Sequence, residues 1–272
     1  MAKWVFLNND FVKEEKSFLH FRDLSFQRGY GIFDFFRLVG NKPLFLTHHL
    51  DRFFFSASEM HLLVPFDRAQ LKAIISNLIE KNNLPESGIR LSLTGGYSED
   101  GFRLGKSNFL ISQHQFAPPT DEQRKAGIKL VSYPYQRQLP QVKTIDYLMA
   151  IWLQPLRIDN KADDILYYQN GMVSECPRSN FFLVTSDGKI ATPSENVLKG
   201  ITRNKLLEIA SKHYHVEERR VSIDEIKSAR EAFTTSTTKQ ILPICQIDDI
   251  IFENHNISNE LLRLFRDYCS TQ

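Results

Sequence analysis

Four short turn signals set what this chain can fold into. Asn8-Asn9, Gly40-Asn41, Asn170-Gly171 and Asp187-Gly188 each lie between runs rich in aromatic and β-branched residues. Asn, Asp and Gly tolerate the positive φ that a tight hairpin needs, so each pair predicts two adjacent antiparallel strands. Between the hairpins lie runs of helical period. In "RAQLKAIISNLIEKNNL" the residues Leu71, Ile74, Ile75, Leu78 and Ile79 form one stripe, and in "THHLDRFFFSASEMHL" Leu50, Phe53, Phe54, Ala57 and Met60 do the same. Hairpins mixed with helices exclude a regular βαβ array and predict an α+β chain.

The rest of the chain follows that pattern. "GIRLSLTGGY", "SNFLISQHQF" and "IKLVSYPYQRQL" read as strands, and a helix is expected through "DYLMAIWLQPLRI". "KGITRNKLLEIASKHY" reads as a helix with Gly200 just before it, and "NELLRLFRDYC" as a terminal helix. Ser222 with Glu225 three residues on is a capping box. "EAFTTSTTKQILPICQID" reads as strand, hydroxyl-rich bend and strand. "APPTDEQRKAG", rich in Pro and charge, is the expected linker. A chain of 272 residues accommodates two domains, and the expected division is 1–117, a linker at 118–126, and 127–272.

Charge and cysteine usage exclude several classes of function. The net charge of +2 is dispersed, which gives no basic face for nucleic acid or an anionic membrane. Cys176, Cys245 and Cys269 make neither a disulfide framework nor a spaced metal cluster, so a reducing compartment is expected. The N-terminus carries no apolar leader, and no run is long enough to span a bilayer. The expectation is a soluble cytoplasmic protein. "GFRLGKS" lacks the first glycine of a phosphate loop, since Asp100 occupies that place and a strand follows. His48-His49 reads as a polar pair at a helix start, because no second cluster has ligand spacing.

Several weak features meet one chemical demand, that of a cofactor with a reactive aldehyde, a pyridine nitrogen and a phosphate. Gly200, Ile201 and Thr202 open a helix whose free amides favour an anion. "TTSTTKQ" gathers hydroxyls at a bend. Arg52 can grip phosphate as a fork. Glu175 at a strand end can keep a pyridine nitrogen protonated. Lys143, between a strand and a helix, can form a Schiff base and then move a proton. Taken singly, each reads as an ordinary cap, strand or surface charge.

Together and in this order they resemble the class IV, fold-type IV pyridoxal-phosphate enzymes: branched-chain aminotransferases, D-amino acid aminotransferases and aminodeoxychorismate lyase. "QRGYGIFDFFRL", "HHLDRF", "VKTIDYL", "SECPRSNFFLV", "LKGITR" and "TTSTTKQILP" carry the resemblance over nearly the whole chain. It implies two α/β domains of the D-amino acid aminotransferase-like fold, with pyridoxal 5'-phosphate in the interdomain cleft. It implies that Lys143 is the Schiff-base lysine and that Glu175 pairs with the ring nitrogen. Arg52, Ile201, Thr202, Ser236 and Thr237 are implied to hold the phosphate. A homodimer is implied too, and exposed aromatics in "RFFF" and "FDFF" are expected to be compatible with it.

The chain also departs from the family pattern. Asp146 replaces the usual Asn after the lysine. Phe33 stands where D-amino acid enzymes often carry a Tyr, and Phe35 fills a position that is small in branched-chain enzymes. Arg28, Arg37 and Arg103 are candidates for a substrate carboxylate, beside Phe33 in the pocket. The expected activity is amino transfer between an amino acid, of branched-chain or D-amino acid type, and a 2-oxo acid. The alternative is a lyase of the aminodeoxychorismate type that releases pyruvate.

Overall fold

Each of the four turn signals reverses a strand. Asn8, Asn41, Asn170, Gly171 and Gly188 all adopt positive φ at these points, the conformation their side chains tolerate and others resist. The computed structural model describes residues 4–271. The chain is α+β and divides into two units, Met1–Ala117 with Val142–Asp146, and Pro118–Gln141 with Tyr147–Gln272.

In the first unit the elements are β1 (Trp4–Leu7), β2 (Asp10–Lys13), α1 (Leu24–Arg28), β3 (Gly31–Val39), β4 (Lys42–Pro43), α2 (Leu46–Glu59), α3 (Arg68–Asn82), β5 (Gly88–Thr94) and β6 (Phe109–His114). The strands form an antiparallel sheet in the order β2-β1-β6-β5-β3-β4. Alternation sends Ile32, Phe36 and Leu38 to one face, where with Ile89, Leu91 and Ile111 they bury against Leu50, Phe53, Leu71 and Ile75 of the two helices. The other face of β3 therefore presents Phe33, Phe35 and Arg37. An Asp67–Gln70 capping box starts α3, and Asn83 in the left-handed region ends it.

Beyond its short pairing with β4, one edge of β3 lacks a strand at Gly31–Phe33. The segment Val142–Asp146 supplies it. Phe33 N donates to Lys143 O and Ile145 N donates to Gly31 O, each at 3.0 Å, and Thr144 pairs with Ile32. Val142 is fully buried in the same core. These five residues, expected in the second domain, thus pack with the first unit, because unpaired buried backbone must find partners.

The second unit contains α4 (Asp121–Ala126), β7 (Ile128–Pro134), α5 (Leu148–Trp152), α6 (Gln154–Asp159), β8 (Asp164–Gln169), β9 (Met172–Val173), β10 (Glu175–Cys176), β11 (Ser179–Val184), β12 (Ile190–Pro193), α7 (Ile201–Ala210), β13 (Val216–Arg219), β14 (Glu231–Ser236), β15 (Gln240–Ile247), β16 (Ile250–Ile251) and α8 (Asn256–Ser270). The main sheet runs β13-β12-β11-β14-β15-β7-β8-β9, with β10 on β11 and β16 on β15. One face buries Cys176, Phe181, Leu183, Ala232, Leu242 and Ile244 in a core. Alternation then puts Glu175, Asn180, Phe182, Phe233 and Thr235 on the other.

Two expected elements differ. The Pro-rich run at 118–126 is partly helix, because Thr120 and Gln123 make a capping box at α4. The buried Arg124 finds acceptors as well, its Nη1 donating to Lys239 O at 3.0 Å and Ile241 O at 2.8 Å. The single helix expected after Lys143 is two, α5 and α6, because Pro155 in the first turn of α6 has no N–H to continue the ladder. Of the aromatics in "RFFF" and "FDFF" only Phe55 is exposed. Phe33, Phe36 and Phe53 are buried, and the other exposed aromatic rings of the first unit are Phe18, Phe21, Phe26, Tyr97 and Phe102. Among the described residues no helix is long and apolar enough to cross a membrane.

Candidate active site

Lys143 is placed by backbone. Its carbonyl accepts from Phe33 N of β3, and its own N donates to the buried Ser56 Oγ of α2 at 3.3 Å. Its Nζ lies 4.7 Å from the Phe33 ring centroid. The Arg90 guanidinium of β5 stacks over the same ring at 4.0 Å. The negative face of an aromatic ring attracts both cations, so Phe33 positions an amine and a guanidinium together. Sequence reading did not single out Arg90. Its signal was its register opposite Phe35, which cannot be read without the strand pairing.

Behind this surface lies a buried ion cluster. Asp34, on the core face of β3 and 0% exposed, is gripped by Arg52 as a fork, with Nε on Oδ2 and Nη2 on Oδ1, both at 2.8 Å. His49 Nδ1 lies 2.7 Å from Asp34 Oδ1. Burial alone would raise the Asp34 carboxyl, but Arg52 and His49 overcome it and hold it well below the usual carboxylate range. An ionised carboxylate only accepts, so His49 Nδ1 carries the proton that it donates. Burial lowers the His49 pKa, and the charges of Arg52 and Lys143 push it the same way against the pull of Asp34. His49 is therefore a neutral, buried spacer. This corrects the reading of His48-His49 as a polar pair: helical spacing puts His49 on the core side, one turn before Arg52, while His48 is exposed.

In the second unit Glu175 is 4% exposed and held by three donors. Arg137 Nη1 meets Oε1 at 3.0 Å. Asn180 Nδ2 and Leu198 N meet Oε2 at 3.1 and 3.0 Å. Register aligns Glu175 with Asn180 and Asn180 with Thr235, one row across three strands. Gly200 precedes α7 and no side chain caps that helix. Ile201 and Thr202 are buried at its start. Ser236 and Thr237 lie at the β14–β15 hairpin, where Ser236 Oγ accepts from Lys239 N at 3.1 Å.

These residues fit a phosphorylated, charged aromatic ligand. The Thr235 hydroxyl, in the row with Glu175, is buried without a partner; the unpartnered hydroxyls of Thr234 and Ser179 lie in register with Phe181 and Cys176, on the core face. A surplus donor together with an uncapped helix start suits an anion. Among the described residues no three His, Cys, Asp or Glu side chains gather to hold a metal.

Of the residues singled out in the sequence, the first unit holds Phe33, Arg37, Arg52 and Lys143, and the second holds Glu175, Ile201, Thr202, Ser236 and Thr237. Arg37 stacks on Phe116 at 5.3 Å. Arg28 and Arg103 are exposed. Arg28 bonds the Gln27 carbonyl, and Arg103 pairs with Asp100. Asp146 is exposed as well. Sequence reading passed over Asp34, Asn180 and Arg137 as individual residues.

A family model described as amino-transferase class IV matches residues 31–247. A D-alanine aminotransferase of Listeria monocytogenes is 26% identical over 255 residues, covering 90% of this chain and 88% of its own. A branched-chain amino acid aminotransferase of T.th., solved with pyridoxamine 5'-phosphate, superposes with a TM-score of 0.90 at 22% identity and covers 100% of this chain and 95% of its own. A putative 4-amino-4-deoxychorismate lyase of Legionella pneumophila superposes at 0.85 with 27% identity, over 93% and 96% of the two chains.

Proposed function

Because the chain belongs to the class IV amino-transferase family, we propose that it is a pyridoxal-phosphate transaminase moving an amino group between an amino acid and a 2-oxo acid. The substrate is of branched-chain or D-amino acid type. The observation that carries this reading is the placement of Lys143, an amine fixed through its backbone to β3 with its Nζ against Phe33. When bound, pyridoxal phosphate supplies a carbonyl for the amine and a ring that withdraws electrons from the substrate's Cα. Lys143 would be the base that takes the proton from the substrate's Cα and holds it for return. Glu175 accepts from the ring nitrogen and keeps its proton in place. Arg52, Ile201, Thr202, Ser236 and Thr237 hold the phosphate. Arg90, beside Lys143 on the Phe33 ring, is the cation best placed for a substrate carboxylate, ahead of the exposed Arg28 and Arg103 and of Arg37.

The chain acts as a homodimer in this reading, through the exposed rings of Phe18, Phe21, Phe26 and Phe102. It works in the cytoplasm, in keeping with three free cysteines. The test is Lys143→Ala with added pyridoxal phosphate. Wild type gives a borohydride-reducible absorbance and converts its cofactor to the amine form with an amino acid. The variant loses both, with a rate at least about a thousandfold lower. A variant that keeps them overturns the assignment. Pyruvate released without a 2-oxo acid acceptor makes the protein a lyase.

A further inference from the structure

We propose that Asn180 is a positioning residue that holds the Glu175 carboxylate and the stretch Leu198–Gly200 leading into α7 as one unit. The inference rests on the reading above, in which Glu175 faces the ring nitrogen and the start of α7 faces the phosphate. Asn180 Nδ2 donates to Glu175 Oε2 at 3.1 Å and to Leu198 O at 2.6 Å. Leu198 N donates to the same Oε2 at 3.0 Å. The three groups close a ring of hydrogen bonds. Both partners of Nδ2 are acceptors, so the orientation of the carboxamide follows from the network.

Two features make this a specific demand for Asn. The side chain is buried, and its register partners Glu175 and Thr235 flank it on one sheet face. An Asp there cannot donate and would set a second carboxylate against Glu175. A Gln is one methylene too long for both bonds. The other side of the carboxamide meets the backbone of Gly200, where an added Cβ would overlap Asn180 Oδ1. The φ of Gly200 is −63°, ordinary for any residue, so the close approach rather than the backbone angle requires glycine. The charge for the ring nitrogen and the amides for the phosphate thus hang on one side chain, and a shift of either displaces the other.

The experiment measures two properties of the holoenzyme, the dissociation constant for pyridoxal phosphate and the pH midpoint of the bound cofactor's absorbance. Asn180→Ala is expected to weaken binding at least about tenfold and to move the midpoint by about one unit. Asn180→Asp is expected to do more of both. Gly200→Ala shifts both in the same direction by displacing the carboxamide, and it adds little in the Asn180→Ala background because the clash is gone. Thr234→Val, one strand over on the core face, leaves both unchanged and reports ordinary effects of altering this sheet. If Asn180→Ala does not fold, Asn180→Ser and Gly200→Ala carry the comparison. Binding within about twofold of wild type with an unmoved midpoint overturns the inference, and so do additive effects of the two substitutions. A wild-type chain that binds no pyridoxal phosphate overturns the functional reading itself, which separates that failure from this one.

Discussion

The two units each bury a carboxylate among donors, yet they leave different remainders. In the first, both oxygens of Asp34 are taken by Arg52, His49 and the Phe35 amide. In the second, Glu175 is held by Arg137, Asn180 and Leu198, but the Thr235 hydroxyl in its row has no partner and α7 begins without a side-chain cap. A cluster that satisfies itself contributes to stability as it stands. A cluster with a surplus buried donor is costly by itself, by about 1–3 kcal/mol. It repays that cost only with an acceptor from outside the chain. The Asp34 carboxylate is thus built to hold its neighbours still, and the face around Glu175 to receive a charge.

Asp34→Asn should break the first half of this contrast most severely. It strands Arg52 in a buried site, at about 3–5 kcal/mol, read as a lower urea midpoint without added cofactor. A loss under about 1 kcal/mol would mean that solvent, not Asp34, satisfies Arg52. Glu175→Gln should leave folding closer to intact and lower the transamination rate about a hundredfold, so that the two carboxylates separate into one felt by stability and one by rate.

Acid should act through the first cluster. Asp34 and Arg52 touch His49, and the charge of Lys143 also acts on it. Burial lowers His49 from its ordinary 6.5, so the unfolded chain takes up a proton first and stability falls as the pH drops below 6.5. Asp34 is held below its ordinary 3.8; its contribution is full above that pH and is lost as the pH falls through its lowered folded value. Urea midpoints across this range should show both losses in wild type, and Asp34→Asn should lose the second. The smallest effect is expected of Thr235→Val. Without cofactor it should change stability by less than about 0.5 kcal/mol or raise it, since an unpaired hydroxyl is removed. A clear destabilisation would show that this hydroxyl is satisfied within the fold.

Local features were legible in the sequence. The hairpin turns and the stripes of α2 and α3 depend on residues a few positions apart, and the structure carries all of them. What was missed depends on distance or on register. Asp34 sits in "GIFDFFRL" among apolar residues, and its partners lie one and two helical turns into α2. Its role appears only when β3 and α2 pack. The pairing of Lys143 with β3 joins residues more than a hundred positions apart, so no window on the sequence contains it. Two misses were avoidable. Thr120 and Gln123 spell a capping box of the same form as Ser222 and Glu225, but the surrounding prolines drew the run toward a linker. Pro155 announced the break between α5 and α6. For the candidate site, residue types came from resemblance, while the network through Asn180 and Arg137 became visible only with the strand pairing.

The segment Val142–Asp146 also fixes an order of birth. A ribosome that has just released Ala117 has made nearly all of the first unit, but not the piece that closes the edge of β3 and fills its core with Val142. By the time that piece emerges, β7 of the second unit has already been synthesised. Neither unit can finish before the other has begun, so an open strand edge accompanies the nascent chain through this interval, the kind of surface on which stalled chains pair wrongly.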